Sequence, residues 1–360
     1  MSDIINSLYN IYNSFVTYFI KYFSFLFGVN DWGFDFRISL LESLLIFIGL
    51  LLAVAFATVS ERKFLATMQR RRGPEVVGVW GLLQAIADAV KLLAKEIFIP
   101  SSSTGFLFRG APYISILVAL YMWPVIPFTE HGAFMDVNLS ILFLYAMLSL
   151  HIYSVIFAGW ASNSMYAFLG SLRCAAQMIS YEVSLGILFL SASIIHGNTM
   201  SLSAMVQSQS YMWLGVAMFP FFILFFVISV AESNRAPFDL PEAESELVSG
   251  YNTEYSGVYF AFFFIGEYCH ILLMCALMVI MFLGGWGPII FFDTILLKDL
   301  PPITIFSLKV LILFYLFVVV RASLPRYRYD QLMQLGWKIF LPISISIFFF
   351  VSAYHMAVVL

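Results

Sequence analysis

The sequence predicts an all-α membrane protein with about eight transmembrane helices. Of its 360 residues, 62% are hydrophobic and only 11% are charged, and the mean hydropathy is +0.93. A soluble domain carries about 25% charged residues, so this composition indicates a chain embedded in lipid. In a bilayer the backbone must satisfy its own hydrogen bonds, which leaves helices or a closed barrel. Barrel strands alternate apolar and polar residues, whereas the apolar runs here continue for about 20 residues, so helices are expected.

Eight segments are long and apolar enough to cross a hydrocarbon core about 30 Å thick. They are 38–60, 111–129, 139–161, 174–195, 211–231, 257–283, 303–320 and 339–359. Residues 38–360 are therefore predicted to form a single transmembrane domain. Residues 1–37 are predicted to be an N-terminal extension, amphipathic because apolar residues lie on one helical face and asparagines on another.

The basic residues test this count, since loops on the cytoplasmic or matrix side carry an excess of Lys and Arg. If the segments alternate in direction, 14 of the 18 Lys and Arg residues fall in loops on one side. These are Arg62, Lys63, Arg70, Arg71, Arg72, Lys91, Lys95, Arg109, Arg173, Arg235, Arg321, Arg326, Arg328 and Lys338. Only Lys21, Arg37, Lys298 and Lys309 lie on the other side, where both termini are expected.

Residues 74–96 are predicted to form an amphipathic helix lying in the membrane interface, between the first and second spans. Apolar residues such as Leu82, Ile86 and Val90 oppose polar residues that include Asp88. Pro74 suits the first turn of a helix. An ordinary buried helix in a soluble loop is the alternative.

An acidic loop, residues 232–256, follows the fifth span. It contains six of the 21 acidic residues, offset by Arg235 alone in the window that ends at Glu254. The six are Glu232, Asp239, Glu242, Glu244, Glu246 and Glu254. Crowded like charges favour the protonated form of some carboxyls, which suits groups that take up and release protons. A solvated acidic loop is the alternative, but interspersed prolines and apolar residues favour a packed loop.

Two carboxylates lie inside predicted spans. Glu182 is about eight residues, roughly 12 Å, into the fourth span, and Glu267 is about ten residues into the sixth. An ionisable group at that depth costs roughly 2.5–3.5 kcal/mol and is a functional candidate by default. A protonated structural carboxyl, hydrogen-bonded to a neighbouring helix, is the alternative for each.

Several cofactor chemistries have no signature in the sequence. The three cysteines show no metal- or cluster-binding spacing, and no phosphate-binding glycine motif occurs. We therefore expect no metal and no covalently bound cofactor in this chain, and no nucleic-acid partner. An interfacial groove with Arg62 and Trp80 at its mouth would suit an amphiphile with a polar ring and a long tail. Phe260 and Phe264 share a helix face that could line it, or they are ordinary core.

Several long motifs resemble the NADH dehydrogenase subunit 1 family, the quinone-site membrane subunits of respiratory complex I. They include ERKFLATMQRRRGP, AGWASNSMYAFLGSLRCAAQMISYEVSLG, AESNRAPFDLPEAESELVSGYNTEYSG and RASLPRYRYDQLMQLGWKIFLP. The resemblance covers roughly residues 38–345, in order and with family-like spacing. It implies eight helices plus an interfacial helix. Residues 1–37 are longer than the family leads one to expect.

The resemblance also implies a function: a core subunit of a proton-translocating NADH:ubiquinone oxidoreductase. Ubiquinone is the implied substrate, entering between the first span, the sixth span and the interfacial helix. Family positions lining that path correspond to Thr58, Arg62, Trp80, Phe260, Phe264 and, near the mouth, Arg321 or Arg326. Proton coupling is implied for Glu232, Asp239, Glu242, Glu244 and Glu246, with a path through Glu182 and Glu267. No residue of this chain is expected to be catalytic.

The implied partners are the peripheral quinone-module subunits, which would hold the NADH, flavin and iron–sulfur sites, and neighbouring membrane-arm subunits. Membrane lipids are also expected, with cardiolipin as one candidate. The aromatic-rich composition favours the mitochondrial inner membrane with basic loops on the matrix side; a bacterial inner membrane is the alternative. Two other functions stay open at this point: a stand-alone cation transporter, and the related component of a membrane-bound hydrogenase.

Overall fold

The computed structural model describes residues 31–130, 134–135, 137–210, 212–239, 250–288 and 301–359. Within these residues the regular structure is entirely helical. The helices of the first half are α1 (Asp31–Met68), α2 (Gln84–Ala94), α3 (Gly105–Tyr121), α4 (Ser140–Ser162), α5 (Met165–Ile195) and α6 (Leu202–Ser208). Those of the second half are α7 (Leu214–Ala217), α8 (Phe219–Glu232), α9 (Gly257–Phe282), α10 (Pro302–Ser323), α11 (Tyr329–Gln334) and α12 (Leu341–Val359).

Seven of the described helical segments are long and apolar enough to cross a membrane. The last of them joins α11 to α12 through a π-helical turn, Leu335–Phe340. The predicted fifth span, 211–231, is instead divided into the short helices α7 and α8, which is a correction. Pro220 is the cause, since proline has no N–H to donate to the preceding turn. At 1.5 Å per residue, α8 alone extends only about 21 Å.

Two spans are longer than their hydropathy indicated. Helix α1 begins at Asp31 and continues past Ser60 to Met68, and α5 begins at Met165 rather than at residue 174. The extra turns of α1 are amphipathic: Glu61 and Ala66 are buried while Met68 is exposed. Hydropathy alone underestimates such ends because a charged residue lowers the average even when it faces the protein interior.

Helix α9 is the centre of the bundle. It contacts α1, α2, α3, α8 and α10. Of its most apolar window, 83% is buried, against 11% for the C-terminal span. A helix surrounded by protein on all sides can present polar side chains without exposing them to lipid. This is where the ionisable residues of the sixth predicted span lie.

The interfacial helix between the first two long spans is shorter than predicted. Helix α2 begins at Gln84 and not at Pro74, since residues 74–83 form a loop with one helical turn at Val79–Gly81. Gly78 and Gly81 have positive φ, and a Cβ at Gly81 would lie 2.1 Å from the Pro74 carbonyl oxygen. Helix propagation from Pro74 is therefore interrupted.

The apolar residues of this segment point away from the protein. Trp80, Ile86, Val90 and Leu93 are all more than half exposed. Asp88, on the opposite face, pairs with Arg62 of α1 at 2.6 Å. An apolar face turned outward and a polar face held to the bundle is the arrangement expected of a helix at a lipid surface.

A buried lysine closes the far end of α9. The Lys309 ammonium of α10 donates hydrogen bonds to the carbonyl oxygens of Leu283, Gly285 and Gly287 at 2.8, 2.9 and 2.8 Å. It also lies 4.8 Å from the centre of the Trp213 ring. These carbonyls follow the last turn of α9, where no intrahelical N–H is available, and a cation there also complements the helix dipole.

Replacing Lys309 by Met should therefore destabilise the bundle. Three buried carbonyls would lose a charged donor, at a cost of about 3 kcal/mol or more. Thermal unfolding of the detergent-purified protein measures this. Lys338→Met, at an exposed lysine of the C-terminal span, is the matched control. Equal unfolding temperatures for the two variants would contradict the capping role.

Candidate functional site

An aromatic ladder runs along one face of α9. Phe260, Phe264 and Tyr268 are four residues apart, so they lie on the same side of the helix. The ring centroids of Phe260 and Phe264 are 6.3 Å apart, and those of Phe264 and Tyr268 are 4.7 Å apart. The two phenylalanines are half-buried and Tyr268 is buried. The ladder therefore leads from the α2 end of α9 into the bundle.

At its inner end the ladder meets a buried network of charges. The Tyr268 hydroxyl donates to Glu61 Oε2 at 2.6 Å. Arg235 Nη1 lies 3.4 Å from Glu61 Oε1, and Arg321 Nη1 donates to the same oxygen. Arg235 Nε lies 3.2 Å from Glu267 Oε1. We call these five residues the ion network.

The ion network is compact and mostly buried, with Arg321 as its most exposed member at 29%. The side chains of Glu61 and Arg235 are 5% and 8% exposed, and Glu267 is 19% exposed. The Arg235 guanidinium also lies 4.5 Å from the centre of the Tyr268 ring, a cation–π contact. Two carboxylates face two guanidiniums, so the formal charges cancel. In a low-dielectric interior, removing one partner of such a set costs about 3–5 kcal/mol.

The outer end of the site lies where α1 meets α2. Arg62 follows Glu61 in sequence and pairs with Asp88, while Lys63 donates to the Trp80 carbonyl oxygen. These contacts hold the loop before α2 against α1. Thr58 is buried one turn deeper, but its hydroxyl donates to the Ala55 carbonyl of its own helix at 2.8 Å.

Seven residues were predicted to bind quinone, and all of them except Arg326 lie on α1, α9, α10 or the loop before α2. Arg321 lies at the inner end, through its bond to Glu61. Arg326 has another partner: its Nη2 lies 3.4 Å from Oδ2 of the buried Asp239, in the acidic loop. This pair ties the loop to the segment between α10 and α11.

A large apolar groove also lies along α1. Its volume is 690 Å³, and it lies between α1, α9, α10 and the segment after α3, partly open to the outside. Leu50, Phe56, Phe306 and Phe314 are among its lining residues. None of the seven residues predicted to bind quinone lines this groove, although its lining residue Leu272 is four residues beyond Tyr268 on the ladder face of α9.

A small polar cavity lies next to the ion network, inside the bundle. Its volume is 20 Å³, enough for about one water molecule. It is lined by Ser115, His151, Val155, Glu232, Ser233, Asn234, Tyr251, Asn252, Phe263, Glu267 and His270. Glu267 belongs to both the cavity and the ion network, so the two are adjacent.

The first residues of the acidic loop are packed against the bundle. Gln177 Nε2 donates to the carbonyl oxygens of Ala231 and Phe238 at 2.9 and 2.8 Å. The Phe238 ring stacks on Tyr327 with centroids 5.6 Å apart. Residues 232–239 are therefore fixed on both sides. Glu242, Glu244 and Glu246 lie outside the described residues.

The two predicted coupling carboxylates deeper in the bundle are Glu182 and Glu232. Glu182 of α5 accepts a hydrogen bond from the Ser149 hydroxyl of α4. Glu232, at the end of α8, is 1% exposed, and among the described residues neither of its carboxyl oxygens has a hydrogen-bond partner. The two carboxyls interact electrostatically. Glu182 is thus a neighbour of Glu232, which lines the polar cavity.

Four residues of the ion network and the polar cavity were not predicted from the sequence. In the sequence Arg235 is only an offset to the acidic loop, and Tyr268, His151 and His270 lie unmarked within apolar segments. A signal for the histidines exists, since an ionisable residue inside a transmembrane segment is a functional candidate. No such rule pairs Arg235 with Glu61, because they are 174 residues apart. Among the described residues, no group of three or more His, Cys, Asp or Glu could hold a metal ion.

Comparisons with known proteins identify the family. The family model described as NADH dehydrogenase matches residues 41–352. NADH-ubiquinone oxidoreductase chain 1 of Arabidopsis thaliana is 51% identical over 305 residues, covering 85% of this chain and 93% of the relative. The chain 1 protein of Chondrus crispus is 49% identical over 318 residues, covering 88% and 97%.

A bacterial relative matches over a similar length. This NADH-quinone oxidoreductase subunit, from Rhodospirillum centenum, is 48% identical over 315 residues, covering 88% of this chain and 93% of the relative. Relatives from a plant, an alga and a bacterium thus align along nearly their whole length. This protein therefore belongs to the NADH dehydrogenase family.

Proposed function

We propose that this chain is the membrane subunit of a proton-translocating NADH:quinone oxidoreductase, respiratory complex I. In that complex it forms the quinone entry path and couples quinone reduction to proton translocation. The observation that supports this best is continuity. The aromatic ladder ends on the ion network, and the ion network shares Glu267 with the polar cavity.

The ladder has the chemistry that a quinone needs. A quinone is a flat ring with two carbonyl oxygens and a long apolar tail. Phe260 and Phe264 offer ring faces and edges for stacking. Arg62 lies at the outer end and Arg321 at the inner end, and each guanidinium has N–H groups beyond the one directed at its carboxylate, so each can donate to a carbonyl oxygen. The single O–H of Tyr268 is already donated to Glu61, so that ring offers stacking only. The tail would remain beside α2, whose apolar residues are exposed.

The ion network is suited to sensing the reduction. Reducing a quinone to a quinol takes up two electrons and two protons. Any proton or charge that enters the neutral set of Glu61, Glu267, Arg235 and Arg321 leaves an unbalanced buried charge. At an effective dielectric constant near 20, two charges 4 Å apart interact by about 4 kcal/mol. A change of that size shifts which partner Arg235 binds, and such a two-state element can couple distant sites.

The path for the proton would lead from Glu267 through the polar cavity. Glu232 lies across that cavity, and Glu182 with Ser149 lies beyond it. Asp239, followed along the chain by the carboxylates Glu242, Glu244 and Glu246, would connect this path to the basic side of the membrane. The Arg326–Asp239 pair would hold the first part of the acidic loop in position for this connection.

The remaining redox chemistry would belong to other subunits. Ubiquinone is the substrate, and the NADH, flavin and iron–sulfur sites lie on peripheral subunits. The basic loops would face those subunits on the matrix side of the mitochondrial inner membrane, or on the cytoplasmic side of a bacterial one. Neighbouring membrane-arm subunits and lipids, cardiolipin among them, would cover the outward-facing apolar surface.

Purification of the intact chain in mild detergent tests membership of this complex. We expect it to migrate on a native gel with flavin- and cluster-bearing subunits, in a band with inhibitor-sensitive NADH:quinone reductase activity. Migration alone, with cation transport in vesicles, would instead indicate a stand-alone transporter. Migration with cluster-bearing subunits but without quinone reduction would indicate the hydrogenase-type assembly.

Arg62→Ala tests the quinone path. Because the Arg62–Asp88 pair is exposed, its loss should change stability by less than about 1 kcal/mol. The KM for a short-chain quinone should rise about fivefold with little change in kcat, as expected when a binding contact is lost. Arg72→Ala removes a comparable exposed pair, Arg72–Glu75 at 3.5 Å, and is the control. An equal KM in both variants would place the quinone elsewhere.

Glu182→Gln tests the proton path. The amide keeps the shape of the side chain and a hydrogen bond to Ser149, but cannot carry a proton. We expect coupled NADH:quinone turnover to fall roughly tenfold, while NADH oxidation by artificial acceptors is unchanged. Glu130→Gln, at an exposed carboxylate, should behave as wild type. Normal proton pumping by the Glu182 variant would rule out this role.

A further inference from the structure

A pair of buried histidines lines the polar cavity and has no place in the function described above. His151 of α4 and His270 of α9 stack with ring centroids 5.4 Å apart and planes inclined by 25°. They are 8% and 3% exposed. Both lie well inside apolar helices. A histidine in such a position is costly, and it is retained in membrane proteins mainly where it serves a polar path.

The rings have unused hydrogen-bonding capacity. His151 Nε2 lies 3.3 Å from the Ser115 hydroxyl, but His151 Nδ1 and both nitrogens of His270 have no partner among the described residues. Neither carboxyl oxygen of Glu232, on the same cavity, has one. In contrast, the buried His196 has both ring nitrogens satisfied, by Ser208 at 2.7 Å and by the Met281 carbonyl at 3.2 Å.

These five buried polar atoms around one cavity require an occupant. Buried polar groups are almost always hydrogen-bonded, and an isolated carboxyl in an apolar interior is strongly disfavoured. The cavity of 20 Å³ fits about one water molecule, which needs two to four polar partners. Acidic, imidazole and hydroxyl groups supply them here. A metal is not favoured, since no described group of these residues has metal-binding proximity.

We infer that His151 and His270, with water in the polar cavity, form a proton-transfer pair between Glu267 and Glu232. This inference rests on the proposed function and adds two residues to its proton path. With these two residues, a proton can move from Glu267 of the ion network to Glu232 inside the bundle. The path then passes from α9 to α8 by way of α4, through groups that line one cavity.

The transfer balances without any further reactant. A proton that has entered the ion network and bound the Glu267 carboxylate leaves that carboxyl and binds the free nitrogen of His270, directly or through the water. The imidazolium releases its other proton to the water or to His151, and from there it reaches a Glu232 oxygen. One proton has moved, Glu267 has become a carboxylate, Glu232 has become an acid, and both rings are neutral again. Neutral imidazole can both accept and donate, as this relay requires.

The groups that line the cavity around the pair come from several parts of the fold. Ser115 comes from α3, Glu232 from the end of α8, and Glu267 from α9 itself. Tyr251 and Asn252 come from the turn before α9. Within the described part of the chain no arginine or lysine lines the cavity, so a proton on the pair is balanced only by the two carboxyls. This favours transient occupancy by a proton over permanent charge.

The test compares His270→Gln with His270→Glu in the intact, membrane-bound complex. The two side chains have nearly the same size, but only the carboxyl can carry a proton. Coupled NADH:quinone turnover and proton pumping are measured in vesicles. We expect coupled turnover and proton pumping to fall roughly tenfold in the Gln variant. In the Glu variant most of that activity should be retained. Oxidation of NADH by artificial acceptors should be unchanged in both.

Several results would overturn the inference. Wild-type turnover and pumping in His270→Gln would do so, and so would an equal loss in both variants, since that indicates a structural role. His151→Gln and His151→Glu provide a second pair if the first fails to assemble. His355→Asn, at a half-buried histidine of the last span, is the control. Failure of the proposed function is separable, because the wild-type chain would then show no inhibitor-sensitive quinone reduction at all.

Discussion

The contact between Glu61 and Arg235 joins residues 174 positions apart and determines much of the arrangement around it. It brings the basic-side end of α1 against the segment after α8, and Arg321 and Tyr268 add α10 and α9 to the same point. Each of these groups is costly to bury alone. The four helical regions must therefore meet with all partners present. A change in the charge of one member alone therefore has a high free-energy cost, so the conformation of the ion network should respond to such a change.

Glu267 connects the ion network to the polar cavity. It is the one acid of the described part of the chain that both pairs with Arg235 and lines the polar cavity. On one side, the aromatic ladder leads to the network, and in the proposed function a quinone would lie along it. On the other side, the cavity leads to Glu232 and, beyond it, to Glu182. In the proposed function, a shift of Arg235 between its two carboxylate partners would remove the cation beside Glu267, and quinone binding and proton movement would be linked through that side chain.

Hydropathy and charge placement predicted the helical membrane fold well, because the bilayer imposes length and hydrogen-bonding constraints that a sequence must satisfy. They failed locally at Pro220, which divides the fifth segment, and at Gly78 and Gly81, which delay the start of α2. The site was predicted in part. Motif resemblance supplied Phe264 and Arg321, but a buried acid such as Glu61 at a helix end resembles an ordinary interfacial charge. Its partner Arg235 is fixed by tertiary packing, which no local pattern encodes.

Coupling through the ion network requires the quinone to bind on the α9 side of α1. The predicted path and the 690 Å³ apolar groove are lined by different residues, so the two locations can be distinguished. A cryo-electron microscopy map of the intact complex with a quinone-site inhibitor would decide between them. We predict density for the inhibitor ring along Phe260 and Phe264, reaching toward Tyr268. Density confined to the groove between Phe56 and Phe314, with the aromatic ladder empty, would contradict this coupling.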